Sequence, residues 1–192
     1  TLAAQKVNPN IKTKIVWAFT WYDPGKEAEA AKALIDQGAD VIAQHTDSTA
    51  IVQMAEKAGV YAFGQASDMD KFAPKAVLTS VENNWGPYYV DRVKAVANGT
   101  WSQKDTWHGI GDGMVVISGL DSQMPSDLQA KVKKLQADLA SGKVHSFTGP
   151  IYDQKGNLMV ADGKTADDGM LAGMMTCLLY TSPSPRDTVR AR

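Results

Sequence analysis

The sequence has 192 residues, of which 44% are hydrophobic and 21% are charged, so it can bury a sizeable core and has the composition of a globular domain. Its 20 basic and 21 acidic residues leave a net charge of −1, which excludes the strong positive field that draws proteins to nucleic acid or anionic lipid. The charge balance therefore predicts a small-molecule partner and no nucleic acid.

The first half of the chain predicts alternating strands and amphipathic helices. The run Lys14–Phe19 predicts a first strand, and Asp23-Pro24 supplies the cap and first-turn proline of a helix that ends near Gln37. A second helix is predicted from a cap at Asp47 or Ser48 to Lys57. The other predicted elements are strands at 41–43, 60–63 and 76–81 and a helix at 85–97. This order predicts an α/β fold with a mostly parallel sheet flanked by helices on both faces.

The second half is less regular. A glycine-interrupted run, Trp107–Ile117, predicts a hairpin, and Ile151–Val160 predicts another around a central glycine. Between them Pro125–Ser141 has the spacing of an amphipathic helix. From the single cysteine, Cys177, the composition changes to Ser, Pro and Arg. We expect residues 177–192 to be an adaptor-derived or disordered tail and exclude them from fold and function.

Polar and aromatic side chains follow each of the four predicted strands. Ligands of open α/β sheets bind outside the carboxyl ends of the strands, so these loops are candidates for a binding site. Together they offer an aromatic face, carboxylates, an imidazole, hydroxyls and amides, which suit a small, flat, hydrogen-bonding ligand. The loops are residues 20–23, 45–48, 65–68 and 82–85.

The candidate residues in these loops also have structural explanations. Asp47 can be a helix cap with no role in binding, and His45 can be a strand-end histidine with its hydrogen bonds satisfied. The stretch Gly64–Met69 can be a plain turn. Trp21 is the hardest to explain structurally, because a large indole beyond the apolar run needs something to cover it.

Five stretches of the chain form an ordered series of motifs: Trp17–Pro24, Gln37–His45, Gly64–Met69, Leu78–Ser80 and Asn84–Tyr89. Through them, residues 1 to about 175 resemble the basic membrane protein family, whose members are purine-binding lipoproteins that deliver bases or nucleosides to ABC importers. The resemblance implies a type I periplasmic-binding-protein fold of two lobes. Residues 1–176 would be the C-terminal lobe with cross-lobe segments, and part of the N-terminal lobe would be missing.

The resemblance also implies partners and a location. We expect ABC permease subunits as partners and a position in the periplasm or on the outer face of the plasma membrane. The membrane would be reached only through a lipid anchor in the missing N-terminus.

Within the family's motifs, Trp21 matches an aromatic residue that stacks on the purine. The loop Gly64–Asp68 matches the pattern Gly-x-Asp-Ser-Asp, but its first Asp, which contacts the ribose hydroxyls, is Ala66 here. A ribose-side Lys is likewise replaced by Asn83. The resemblance thus implies a purine site that favours a free base such as adenine over a nucleoside. The full candidate set is Trp21, His45, Asp47, Gln65, Ala66, Ser67, Asp68 and Asn83, with bracing of the loop as the alternative for Asp68.

Two other classes of function stay open. A purine-nucleoside-processing enzyme would need a metal site or an activated nucleophile, but His45, His108 and His145 are scattered, so we expect no catalytic residue, metal or cofactor. The effector-binding core of a transcription regulator shares the fold class and would need a DNA-binding head upstream of Thr1.

Overall fold

The computed structural model describes residues 1–153 and 155–174. The predicted tail at 177–192, including Cys177, lies outside the described residues. The chain divides into two compact units, one of residues 17–142 and one that combines residues 1–16 with those from 143 onward. The assignment of residues 1–176 to one lobe stays a prediction.

A four-stranded sheet forms the centre of the larger unit. The strands β1, β2 and β3 are parallel, and β4 runs antiparallel to β3. This arrangement confirms the predicted α/β class with a mostly parallel sheet. In spatial order the strands are β1 (Val41–Ala43), β2 (Tyr61–Ala66), β3 (Val77–Asn83) and β4 (Val115–Ile117).

Several helices have the ends that local sequence predicts. The Asp23 side chain accepts a hydrogen bond from the Lys26 amide at the start of the second helix, where Pro24 occupies the first position. The third helix ends at Gly59, whose φ of +72° is the left-handed conformation that glycine adopts without strain. The helices are α1 (Leu2–Val7), α2 (Pro24–Ile35), α3 (Ala50–Ala58), α4 (Trp85–Ala97), α5 (Ser126–Ala140) and α6 (Asp168–Ala172), with a 3-10 turn at Asp70–Phe72.

The core of the larger unit lies between the sheet and the pair α2 and α3. Alternate strand residues such as Ile42 and Ala62 are buried on this face, whereas Tyr61 and Phe63 point from the other face and remain partly exposed. Helix α3 contributes its fully buried residues Val52 and Ala55, and α2 contributes Ala31. Buried and exposed residues therefore alternate along β1 and β2, which is the pattern of a strand with one face against the core.

The predicted first strand at Lys14–Phe19 is wrong. The structure assigns no strand to these residues, and Phe19 has a φ of +51°, a left-handed conformation that interrupts an extended chain. Its ring is 69% exposed, although a strand in a doubly covered sheet would bury it. The sheet therefore begins at β1, and Trp17 and Phe19 contact each other instead, with ring centroids 6.4 Å apart.

Two other expectations need correction. Only Val115–Ile117 of the predicted hairpin is a strand, because residues 109–113 form a turn and the segment pairs with β3 instead of folding back on itself. Helix α3 begins at Ala50 with Thr49 as its N-cap, not at Asp47 or Ser48. The Ser48 hydroxyl donates to a carboxylate of α2 and also accepts the Ala50 amide at 3.3 Å.

The smaller unit contains the predicted second hairpin, formed by β5 (Ile151–Tyr152) and β6 (Leu158–Val160) in antiparallel pairing. Asp153 holds its turn by accepting hydrogen bonds from the backbone amides of Lys155 and Asn157, both at 2.8 Å. Burial of Ile151 and Val160 with Ala166 provides the core of this unit. The short helices α1 and α6 are not predicted by the sequence pattern, since each is shorter than the window that periodicity needs.

Candidate functional site

Three of the candidate loops lie at one edge of the sheet. Because β1, β2 and β3 are parallel, their carboxyl ends meet there. Gln65 and Ala66 are the last residues of β2 and pair with Val81 and Glu82 of β3, and Asn83 closes β3. His45 and Asp47 follow β1 on the same edge.

The segment that carries Trp21 reaches this edge without a strand to lead it there. The backbone amide of Asp47 donates a hydrogen bond of 3.1 Å to the Trp21 carbonyl, which brings the first candidate loop beside the second. The Trp21 ring is 78% exposed, and Tyr22 beside it is also exposed. An aromatic face thus lies next to the polar side chains that follow β1.

The buried carboxylate of Glu27 is hydrogen-bonded to both of these loops. One of its oxygens accepts the Asp23 backbone amide at 2.9 Å. The other accepts both the backbone amide of Ser48 at 3.2 Å and the Ser48 hydroxyl at 2.5 Å. Glu27 is 0% exposed, and it lies in the first turn of α2, where the helix dipole favours negative charge.

The surroundings of Glu27 keep it charged. Burial by itself raises the pKa of its carboxyl, but hydrogen bonds from the Ser48 hydroxyl and the Asp23 amide outweigh burial, and the pKa is lowered overall. The pKa of Asp23 is lowered as well, chiefly by the hydrogen bond from the Lys26 amide. Both acids at the start of α2 are therefore ionised at neutral pH.

A second group of hydrogen bonds holds the loop after β2. The Ser80 hydroxyl of β3 accepts the Met69 amide at 3.1 Å, and the Ser118 hydroxyl accepts the Ser80 amide at 2.7 Å. Gln44, just after β1, donates to the Met69 sulfur at 3.2 Å and to the Ser48 carbonyl at 3.3 Å. The polar contacts therefore run without a break from Ser118 across the sheet edge to Glu27.

Gly64 is required by the close approach of β3. A Cβ at this position would lie 2.0 Å from the Ser80 hydroxyl oxygen and 3.0 Å from the Met69 Cβ. Ser80 of β3 can approach β2 this closely only because residue 64 has no side chain. The glycine thus serves a packing need of the loop.

Ala66 has a strained backbone. Its φ of +63° lies in the left-handed region, which costs a residue with a Cβ roughly 1 to 2 kcal/mol. Asp and Asn are several-fold enriched in this conformation, so a family pattern with Asp at this position fits the backbone better than Ala does. Strain of this kind clusters at ligand-binding positions.

Most of the remaining candidate side chains are exposed at the sheet edge. Ser67 and Asn83 are exposed, as are His45 and Asp47. Asp68 accepts the Asp70 amide at 3.1 Å, a contact that braces the loop. The Oε1 atom of Gln65 is buried and has no hydrogen-bond partner in the described part of the chain. Whether these side chains bind a ligand stays a prediction.

The sequence analysis missed two residues that hold the site together, Glu27 and Ser80. Glu27 is four residues before Ala31 in the apolar stripe of α2, and a charged residue in such a stripe signals a buried acid with dedicated donors. Ser80 belongs to one of the motif stretches, Leu78–Ser80, but its hydrogen-bonding role depends on the approach of β3 to Gly64, which the sequence does not show.

The candidate site combines an exposed aromatic residue with hydrogen-bonding side chains. Among residues 1–153 and 155–174, no group of three or more His, Cys, Asp or Glu side chains is arranged to hold a metal ion. Within the same residues no helix combines the length and apolar character needed to cross a membrane.

The sequence profile of one protein family, described as ABC transporter substrate-binding protein PnrA-like, matches residues 2–155. A purine-binding protein of Brucella abortus (strain 2308) is 51% identical over 173 residues, covering 90% of this chain and 49% of that protein. A Haloferax volcanii protein, provisionally named as an ABC transporter glucose-binding protein, is 30% identical over 79% of this chain and 39% of its own length.

A solved structure has the same architecture. The solute-binding protein of an ABC transporter system from Conexibacter woesei superposes with a TM-score of 0.57 at 26% identity, over 74% of this chain and 48% of that one. The chain thus spans half or less of the length of the relatives it matches.

The packing around Gly64 yields a stability prediction. Gly64→Ala should lower the free energy of unfolding by about 1 to 3 kcal/mol, the usual cost of overpacking, because its Cβ overlaps Ser80. Gly86→Ala is the matched control, since a Cβ there meets nothing nearer than an Asn84 oxygen at 4.0 Å. Denaturant unfolding measures both variants, and equal stability of the two would contradict the packing argument.

The lowered pKa of Glu27 yields a pH prediction. Folding lowers the pKa of the Glu27 carboxyl below its ordinary value of 4.5. The carboxylate therefore stabilises the folded protein at pH values above 4.5, and this stabilisation is lost as the pH falls through the lower pKa of the folded state. Glu27→Gln should therefore lower the thermal midpoint at neutral pH, and the deficit should shrink as the pH falls below 4.5. A deficit that stays constant or widens in acid would show that the Glu27 charge is not responsible.

Proposed function

The chain belongs to the PnrA-like family of ABC transporter substrate-binding proteins, and from this membership we propose that its loops at the sheet edge capture a purine. The observation that carries the proposal is the exposed Trp21, whose backbone carbonyl accepts the Asp47 amide at the edge where the parallel strands end. A purine offers the matching chemistry, because its flat face stacks on an indole and its edge takes hydrogen bonds. The 51% identity to a purine-binding protein supports the same ligand class.

The proposed function includes a transport partner. The protein would hand its ligand to ABC permease subunits on the outer side of the cytoplasmic membrane, attached through a lipid anchor. A binding role without catalysis agrees with a site that offers stacking faces and hydrogen-bonding groups. The ligand is then released chemically unchanged.

Within the purines, we propose that a free base such as adenine is favoured over its nucleoside. Buried ribose hydroxyls need acceptors, and hydrogen bonds to a carboxylate are roughly twice as strong as neutral ones. Ala66 and Asn83 stand where the family motifs have an Asp and a Lys on the ribose side. A bound nucleoside would leave hydroxyls unsatisfied at a cost of about 1 to 3 kcal/mol each, which a free base avoids.

Trp21→Ala should weaken purine binding by the full-length gene product about ten- to a hundredfold, because stacking of a base on an aromatic side chain contributes roughly 1 to 3 kcal/mol. The thermal midpoint should change little, since the ring is exposed. The measurement is titration calorimetry with adenine, adenosine and glucose. Glucose is included because one relative's name specifies it.

Trp101→Ala is the control for this variant. Trp101 is also more than half exposed. Its backbone amide donates a hydrogen bond to the last turn of α4, whereas the candidate loop after β3 leads into the opposite, first turn of that helix. It should leave purine affinity unchanged. Equal affinity of the Trp21 variant and the parent would remove Trp21 from the site, and binding of glucose alone would overturn the purine proposal.

Ala66→Asp should shift the preference from adenine toward adenosine, since it restores a carboxylate on the ribose side. Ala66→Gly is the matched control, because it relieves the positive φ without adding a charge. It should change the free energy of unfolding little, because the relief of about 1 to 2 kcal/mol of strain is partly offset by the larger chain entropy that glycine loses on folding. The ratio of the two affinities should stay unchanged. Tighter binding of adenosine than adenine by the parent protein would contradict the assignment of Ala66.

A further inference from the structure

We propose that Glu27 is a positioning residue for the ligand site, fixing the backbone that carries Trp21 against the loop that carries Asp47. The inference rests on the proposed function, but it concerns a residue that has no direct access to a ligand, since Glu27 is fully buried. Its effect on binding must therefore pass through the two segments that it joins.

The case begins with the number of donors. Glu27 receives the Asp23 amide on one oxygen and two Ser48 donors on the other. A carboxylate satisfies both sides because each of its oxygens is an acceptor, whereas the amide of a glutamine has one oxygen and one NH₂ group. Glutamine at position 27 can therefore keep one side of the connection but must face a donor with a donor on the other.

The connection matters because no strand leads into the Trp21 segment, and Phe19, two residues before Trp21, has a left-handed backbone. The hydrogen bond from the Asp47 amide to the Trp21 carbonyl needs the loop after β1 to stay in place, and Ser48, next to Asp47, is held by Glu27. Fixing Asp23 and Ser48 on the same carboxylate thus sets the distance between the aromatic face and the polar loop.

Pre-organisation of this kind contributes to affinity because the binding groups need not be ordered when the ligand arrives. Glu27→Gln in the full-length gene product should therefore weaken adenine binding about ten- to a hundredfold, the range seen when supporting partners of metal-binding residues are replaced. Glu29→Gln is the matched control, as Glu29 lies on the same helix and is exposed. It should bind adenine with parental affinity.

A spectroscopic readout separates positioning from general stability. In protein labelled with 5-fluorotryptophan, the Trp21 resonance is assigned by its disappearance in Trp21→Phe. Without any ligand, Glu27→Gln should shift or broaden that resonance and leave those of Trp85 and Trp101 unchanged. A uniform change of all resonances, or a Trp21 signal identical to that of the parent, would overturn the proposal.

A second variant covers the case in which Glu27→Gln does not fold. Ser48→Ala removes the 2.5 Å hydrogen bond to Glu27 together with the 3.3 Å contact from the Ala50 amide, and it keeps the charge of Glu27. It should produce a smaller loss of adenine affinity with the same selective change at Trp21. Parental affinity in both folded variants would overturn the positioning role. The outcome can also separate the two proposals. If neither the parent nor the variants bind a purine but the Trp21 resonance still changes selectively, the proposed function fails and the positioning role stands.

Discussion

The Glu27 carboxylate accepts three hydrogen bonds in the interior of the protein, and the spacing of the first two candidate loops depends on it. An unpaired buried charge would be costly, so its donors must be present whenever the protein is folded. That requirement ties the position of the loop after β1 to the start of α2. It also explains why the Ser48 hydroxyl donates to a side chain of α2.

The loop after β2 depends on a different constraint, the close contact of β2 with β3. Gly64 leaves room for the Ser80 hydroxyl, which in turn accepts the Met69 amide and shapes the turn. Ala66 follows with a left-handed backbone that an alanine adopts only at a cost. An Asp would suit this conformation better, since Asp and Asn are enriched in the left-handed region.

Several elements could be predicted because their signals are local. The bounds of β1 and α4 follow from an apolar run and from helical periodicity, and Gly59 ends α3 as expected. The run Lys14–Phe19 shows the limit of such signals, since β-branched and aromatic residues favour a strand only where a partner strand accepts them. For Val115–Ile117 the strand was expected but its partner was not, because the pairing with β3 joins residues distant in sequence.

The sequence by itself determined the alternation of strands and helices, the parallel sheet, and the set of loops at its carboxyl edge, because periodicity, caps and chain order are local properties. Its motifs also carried the resemblance that the matched family profile confirms. Only the tertiary structure decided that Glu27 is buried against Ser48, that Ser80 fills the space beside Gly64, and that Trp21 reaches the edge without a strand. These contacts join residues whose chemistry is ordinary in the sequence, and they acquire a role only when the backbone brings their donors and acceptors within hydrogen-bond distance.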